Sequence, residues 1–307
     1  MKMIFSYLKP FIPRMSLGLL IKFTGSVVEL FLPWILSYMI DEVAPTKDMQ
    51  RTLLWGGAMI LCALLAWVTN ILANRMAAWV AQHTTQAIRH DLFEKISLLS
   101  CGQIDEFSIP SLESRLTTDT YQIHQMLGMM QRIGVRAPIL LIGGILITLT
   151  LDPVLALVLI CTLPFITVVV YSVSRRGVPM YVELQKTVDS MVRTVRETIS
   201  GIRVIKALSK VDYEKERFAR VNAGVVQKET KAGITMALSN PMMNLFLNVG
   251  LTAVIIVGAF RVNAGLTQPG KIIAFLNYFT IILNAMMAMT RIFVSFSRSS
   301  ASGARIA

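Results

Sequence analysis

The segment GLTQPGKI at 265–272 sets Gly265, Gly270 and Lys271 in the spacing G-x-x-x-x-G-K. In that spacing backbone N–H groups and a lysine cradle a phosphate. A working phosphate loop also needs a Ser or Thr after the lysine to reach magnesium, a strand before it and a soluble helix after it. Ile272 stands where the hydroxyl should be. The preceding run LNVGLTAVIIVGAF is β-branched enough to imitate a strand, yet it lies within 29 uncharged residues between Lys231 and Arg261. That run is too long for a strand and long enough to cross a bilayer. The segment therefore reads as a turn between two spans, with Lys271 as an interfacial stop. Cys62, Cys101 and Cys161 are odd in number and far apart, without ligand or disulfide spacing. His83, His90 and His124 form no metal pattern, although His83 and His90, seven apart, share a helix face. No catalytic residue and no metal site is expected.

The remaining chemistry belongs to polar groups inside apolar runs, which are functional candidates by default. Glu29 is the one acid within a span, and Lys22, Ser26 and Glu29 are spaced to share one helix face. Trp67, Asn70 and Asn74 share a face in the second span. Asn240, Asn244, Asn248 and Thr252 form an i, i+4 ladder in the fifth. Asn277, Thr280, Asn284, Met287 and Arg291 follow a similar stripe in the sixth. Stripes on several helices can line a shared wet path, and Met286, Met287 and Met289 would add a soft wall for varied apolar guests. The plainer alternative is that each asparagine only joins helix to helix, for about 0.6 kcal/mol. Pro164 and Pro241 are candidate kinks, with packing tolerance as the plainer reading.

These stripes require helices that span. Charged residues make up 16% of the 307 residues, against about a quarter in soluble domains. Mean hydropathy is +0.60. Both mark a membrane protein. Uncharged runs place six spans at about 15–40, 52–81, 132–151, 153–175, 236–262 and 270–292, the third beginning with snorkelling Arg132 and Arg136. Polar stretches of about 50 residues separate spans two and three, and spans four and five. The segments ANRMAAWVAQHTTQAIRHDLFEKISLL and VELQKTVDSMVRTVRETIS contain no proline or glycine, so each stretch reads as a helical arm, and twenty residues carry it about 30 Å beyond the bilayer. The chain is a helix, two long-armed hairpins and a final helix, a weak internal repeat. Of 30 lysines and arginines, Lys47, Arg51, Arg261 and Lys271 lie in the short connections, and Lys22 and Arg75 lie in spans. The rest sit on the arms and termini or at the span ends that adjoin them, and the arms and termini are therefore expected to be cytoplasmic. The net charge of +12 is a topology signal with anionic-lipid contacts, not a nucleic-acid footprint. MKMIFSYLKP lacks a signal-peptide pattern and reads as a short amphipathic helix lying on the membrane.

The arm tips read FSIPSLESRLTTDTYQI and ETISGIRVIKALSKVDYEKERFARVN. Here the chain resembles, over nearly its whole length, the transmembrane domain of ABC exporters of the six-helix, long-armed type. Ser114-Arg115-Leu116-Thr117 with Asp119 matches that family's first tip. Ser200-Gly201-Ile202-Arg203-Val204, Lys206-Ala207, Tyr213 and Phe218 match its second. RSSASGARI resembles the run-up to its nucleotide-binding domain. The chain departs at Pro110-Ser111, where Gly and an acid are frequent, at Leu208 for Phe, and at Val211-Asp212 for paired acids. The Ser111-Leu112 pair and RAPILLIGG look closest to halves of bacterial heterodimeric multidrug exporters.

The resemblance implies an all-α membrane protein that forms half of a homo- or heterodimeric exporter in the bacterial inner membrane. Its short coupling helices, at about 109–115 and 207–215, would dock on ATP-binding domains. Leu112, Ser114, Arg115, Leu116, Asp119, Leu208, Asp212, Tyr213 and Glu214 are the expected coupling residues. Glu29, Asn70, Asn74, Asn244, Asn248, Asn277, Asn284, Met287 and Arg291 are the expected path for a hydrophobic drug, lipid or peptide. ATP and magnesium would bind the ATP-binding domain, which is expected outside this chain. Two rivals are an ion- or proton-driven carrier using Glu29 and a membrane scaffold that transports nothing.

Overall fold

The computed structural model describes residues 2–306, and among these no strand occurs. The side chain of Asn240 lies outside those described, as do those of Arg298 and Ala301 in the terminal run. The helices are α1 (Lys2–Leu8), α2 (Ile12–Tyr38), α3 (Met49–Ser97), α4 (Cys101–Phe107), α5 (Ile109–Ser114) and α6 (Thr120–Arg132). They continue as α7 (Arg136–Leu151), α8 (Pro153–Ser200), α9 (Ile202–Ala207), α10 (Val211–Ala237), α11 (Ser239–Asn263) and α12 (Pro269–Ile306). Six helical stretches are long and apolar enough to cross a membrane. The protein is an all-α, multi-pass membrane protein.

Local chemistry sets the ends. Asp48 caps α3 by accepting from Gln50 N at 2.9 Å and from Arg51 N. From Ala58 to Ser97 no proline or glycine interrupts it. The 49 residues therefore form one rod, about 73 Å long. Ser100 and Gln103 close a capping box on α4. Asp152 caps α8, accepting from Val154 N at 3.0 Å, with Pro153 at the first helical position where its missing N–H costs no bond. Pro241 does not kink the fifth span. It sits in the first turn of α11, which restarts at Ser239 after α10 ends at Ala237, so the absent donor is one the helix would leave unpaired anyway.

The chain divides into two compact units, one of Met1–Leu157 with Ala253–Ala307 and one of Val158–Thr252. In the first unit, Tyr278 is buried among Leu30, Ala137, Leu140, Ala274 and Ala285, where α2, α7 and α12 meet. Its hydroxyl donates to the Leu30 carbonyl at 2.6 Å, one turn before Pro33, which interrupts the α2 ladder. A Cβ on Gly144 would come within 2.9 Å of Ile282, so glycine sets the spacing of α7 and α12. A second core packs Ile4 and Leu8 of α1 on Val80, Ala81 and Ile88 of α3 and on Ile123, Met126 and Leu127 of α6. The N-terminal helix thus seals the base of the first arm. In the second unit, Phe165 and Phe246 stack at 6.3 Å between α8 and α11, and Lys228 pairs with Glu183 between α10 and α8.

Candidate functional site

Three regions carry the residues singled out by the sequence: the turn at 264–268, the polar groups within spans one, two, three, five and six, and the arm tips.

The turn joins two helices, α11 and α12, with Gly265 at φ +70. Gly270 N donates to Asp41 Oδ1 at 2.7 Å, and the Ser37 hydroxyl donates to the other carboxylate oxygen. A Cβ at Gly270 would stand 2.6 Å from the Ser37 carbonyl oxygen. The backbone donor that a phosphate would need is therefore taken by a carboxylate of the same chain. The G-x-x-x-x-G-K spacing is a cap on α12, tied to the end of the first span.

Within the spans, Lys22 is 3% exposed and donates to Asn70 Oδ1 at 2.6 Å and Asn74 Oδ1 at 3.1 Å. These asparagines, expected on the path, accept from a buried ammonium with two amide oxygens and join α2 to α3. Glu29 is not a lone acid. Arg136, 107 residues away, donates Nε to one carboxylate oxygen at 3.1 Å and Nη2 to the other at 2.5 Å. This fork is the strong, geometrically fixed form of a charged hydrogen bond. Arg136 therefore does not snorkel. It turns inward because an uncompensated carboxylate in an apolar span costs more than the reach to water. The sequence signal was present in Arg136 itself, a charge too deep for its run.

A cavity of about 220 Å³ opens beside this pair, lined by Glu29, Arg136, Asn284 and Arg291 with apolar walls that include Leu140 and Ile281. The structure thus brings Glu29, Asn284 and Arg291 together. Met287 is half-buried on the same helix. Asn277 lies apart, exposed in a groove with Pro33, Leu36 and Met59. Asn244 and Asn248 are exposed on α11, where the Asn248 amide donates to the Asn244 carbonyl at 2.8 Å.

At the first tip, Ser108 takes φ +61 and separates α4 from α5. Pro110 fits the first turn of α5. Leu112 is buried, Ser114 is exposed, and Leu116 is half-buried. Arg115 lies over the Phe107 ring at 4.9 Å. Ile109, which sequence reasoning passed over, is 70% exposed. Asp119 is not on the tip. Its carboxylate is 1% exposed and pairs with Arg305 near the end of α12, which donates Nε at 2.9 Å and a second bond from Nη2. The adjacent guanidinium holds the Asp119 carboxyl below its usual range.

At the second tip the short helix is α9, Ile202–Ala207, not 207–215. Residues 208–210 turn, with Ser209 at φ +53, and α10 starts at Val211. A non-glycine residue in the left-handed region gives no strong sequence signal, which is why the boundary was misplaced. Leu208 is 64% and Tyr213 58% exposed. Asp212 is exposed and pairs with Lys215 at 3.1 Å. Glu214 faces inward, accepting from Thr198 at 3.1 Å and from Arg217. An apolar groove of about 260 Å³ runs between Ile199, Ile202, Ile205, Val211 and Phe218.

On α3, ligand atoms of His90, Asp91 and Glu94 fall within 4.8 Å of one another. The Tyr7 hydroxyl already donates to Asp91 at 2.7 Å.

These features define a class: a six-span helical membrane domain with charged groups held in its interior and helical arms that end in short helices. The chain belongs to the family of ABC transporter transmembrane regions, whose match covers residues 15–286. It is similar to an uncharacterized ABC transporter ATP-binding protein, YfiB, of Bacillus subtilis (strain 168). That relative is 30% identical over 301 residues, 98% of this chain and 52% of the relative. It is also similar to the uncharacterized ABC transporter ATP-binding protein Rv1273c of Mycobacterium tuberculosis (strain ATCC 25618 / H37Rv), 27% identical over 98% of this chain and 52% of the relative. An ATP-dependent lipid A-core flippase of Legionella pneumophila (strain Lens) is 22% identical over 97% of this chain and 50% of that protein. The chain spans about half the length of the curated relatives it matches.

Proposed function

We propose that the chain is the transmembrane half of an ATP-driven exporter, paired with a second half and with ATP-binding domains that carry ATP and magnesium. The chain sits in the inner membrane with arms and termini in the cytoplasm and the 264–268 turn outside. The excess of Lys and Arg on the arms supports this orientation. ATP-domain closure moves the arms, and the spans alternate between inward-open and outward-open states.

The observation that carries the reading is the build of the arm tips: stiff helices ending in short ones, with Ile109, Leu208 and Tyr213 presented to solvent. Exposed apolar and aromatic side chains on a rigid end are interface anchors. Ser114 and Asp212 add polar register beside them. Leu112, Arg115, Leu116 and Glu214 support the tips from within, and Asp119 ties the first arm to α12. Glu29, Asn284, Met287 and Arg291 line the path at one level. Asn277, Asn244 and Asn248 extend the polar stripes of their own helices, and Asn70 and Asn74 hold Lys22. The substrate is hydrophobic or amphipathic, a drug, lipid or peptide, and the flippase relative's name supports the amphipathic end of that range.

The Glu29–Arg136 fork weighs against a carrier built on a lone carboxylate, because both Glu29 oxygens already accept from Arg136. The deciding experiment is uptake of an amphipathic dye into inside-out vesicles. ATP should drive it and vanadate should stop it. Uptake driven by a pH gradient without nucleotide would overturn the exporter reading.

A further inference from the structure

The cavity beside Glu29 has a charge pattern that selects its guest. Glu29 contributes one negative charge and Arg136 cancels it through two hydrogen bonds. Arg291 makes no hydrogen bond or ion pair among the described residues, and neither does the Asn284 side chain. The cavity therefore holds one surplus positive charge, with a free guanidinium fork and a free amide beside it. Lys22 stands behind it with neutral partners only, so no second carboxylate offsets the surplus. A surplus cation in an apolar wall is stabilised by an anion and repels a second cation. A guanidinium fork matches phosphate and carboxylate geometry, while its delocalised charge sheds water more readily than an ammonium. Volume narrows the guest further. About 220 Å³ lies below the roughly 300–1,000 Å³ of sites that enclose a drug-sized molecule. It suits a headgroup and the start of a chain, and the apolar walls at Leu140 and Ile281 receive that start.

We propose that this cavity seats the anionic headgroup of an amphiphile, with Arg291 and Asn284 as its direct ligands and Arg136 held in position by Glu29. This rests on the reading that these residues line the transport path. It goes beyond that reading by assigning the sign of the substrate's charge, and it sets the protein apart from an exporter of lipophilic cations.

The test is equilibrium binding of radiolabelled dodecyl phosphate to the chain in its native assembly, in nanodiscs of zwitterionic lipid. Dodecyltrimethylammonium and inorganic phosphate serve as competitors. Saturable binding of dodecyl phosphate is expected, displaced by neither competitor at equal concentration. Arg291→Gln should weaken it about tenfold or more, the loss of a charge-assisted contact, and Arg291→Lys should recover part of the affinity. Equal affinity in Arg291→Gln overturns the proposal, as does preference for the ammonium. Displacement by inorganic phosphate reduces the cavity to a free-anion site and overturns the amphiphile. The unsubstituted protein gives the charge preference even if a variant folds poorly. Ala285→Trp, which fills the cavity, separates the two readings. If it blocks ATP-driven transport while the ammonium is the preferred guest, the path stands and the anion assignment fails. If transport is untouched, the path reading itself fails.

Discussion

The Asp119–Arg305 pair should be a measurable tie between the first arm and α12. The carboxylate side chain is 1% exposed and the arginine 57% exposed. Breaking a fully buried pair costs about 3–5 kcal/mol, whereas an exposed pair is worth about 0–1 kcal/mol. This pair is buried on one side and wet on the other, and two hydrogen bonds link it, so a coupling energy of about 2 kcal/mol is expected. A double-mutant cycle of Asp119→Asn and Arg305→Gln isolates it. The readout is thermal unfolding in nanodiscs, where about 2 kcal/mol corresponds to roughly 4–8 °C for a unit of this size. The pH dependence has a definite sign. The folded carboxyl is held below its unfolded value, so its contribution is complete above about pH 4. It is lost as pH falls through the lower folded value. Stability should be flat from pH 8 to about 5 in this respect and should drop in acid, and Asp119→Asn should remove that drop. A coupling energy below about 0.5 kcal/mol, or an acid profile unchanged in Asp119→Asn, would refute the assignment.

Three further outcomes are expected. Glu29→Gln leaves Arg136 without its carboxylate in the span interior and should lower stability by about 2–4 kcal/mol in a denaturant titration; an unchanged midpoint would refute the pairing. Tyr213→Ala should reduce substrate-stimulated ATPase and transport together at normal expression, the loss of an exposed anchor costing about 1–2 kcal/mol at the interface. Cys101 is exposed on the first arm and Leu266 on the turn. An impermeant maleimide should label Leu266→Cys in intact cells and Cys101 only after permeabilisation, and the reverse pattern would invert the topology.

The spans and arms were legible because charge exclusion from a bilayer acts on each residue separately and leaves its mark in one run of sequence. The pairing of Glu29 with Arg136 joins residues 107 apart. Sequence supplied two anomalous charges but no register that would bring them together. Asn70 and Asn74 carried the right polarity, but nothing in their spacing showed that both accept from an ammonium on another helix. Asp119 belonged to a tip motif by position and to α12 by contact. The second short helix lies at 202–207 and not at about 207–215, a displacement of about its whole length, because Ser209, with φ +53, turns the chain without glycine or proline to announce it. In GLTQPGKI, Ile272 in place of a hydroxyl and the length of the run before it spoke against a phosphate loop, and the structure added the partner of the Gly270 donor, Asp41.

The two sides of the first arm differ in continuity, and that difference is mechanical. One side is α3, unbroken for 49 residues. The other is α6 followed by α7, with residues 133–135 between them outside any helix. An intact helix resists bending along its whole length, whereas a break concentrates compliance at one place. A displacement delivered at the tip therefore reaches the second span as a push along its axis and the third span as a change of angle. Arg136 is the first residue beyond that joint, so a change of angle there would act on the guanidinium that holds Glu29 and on the wall of the cavity beside it.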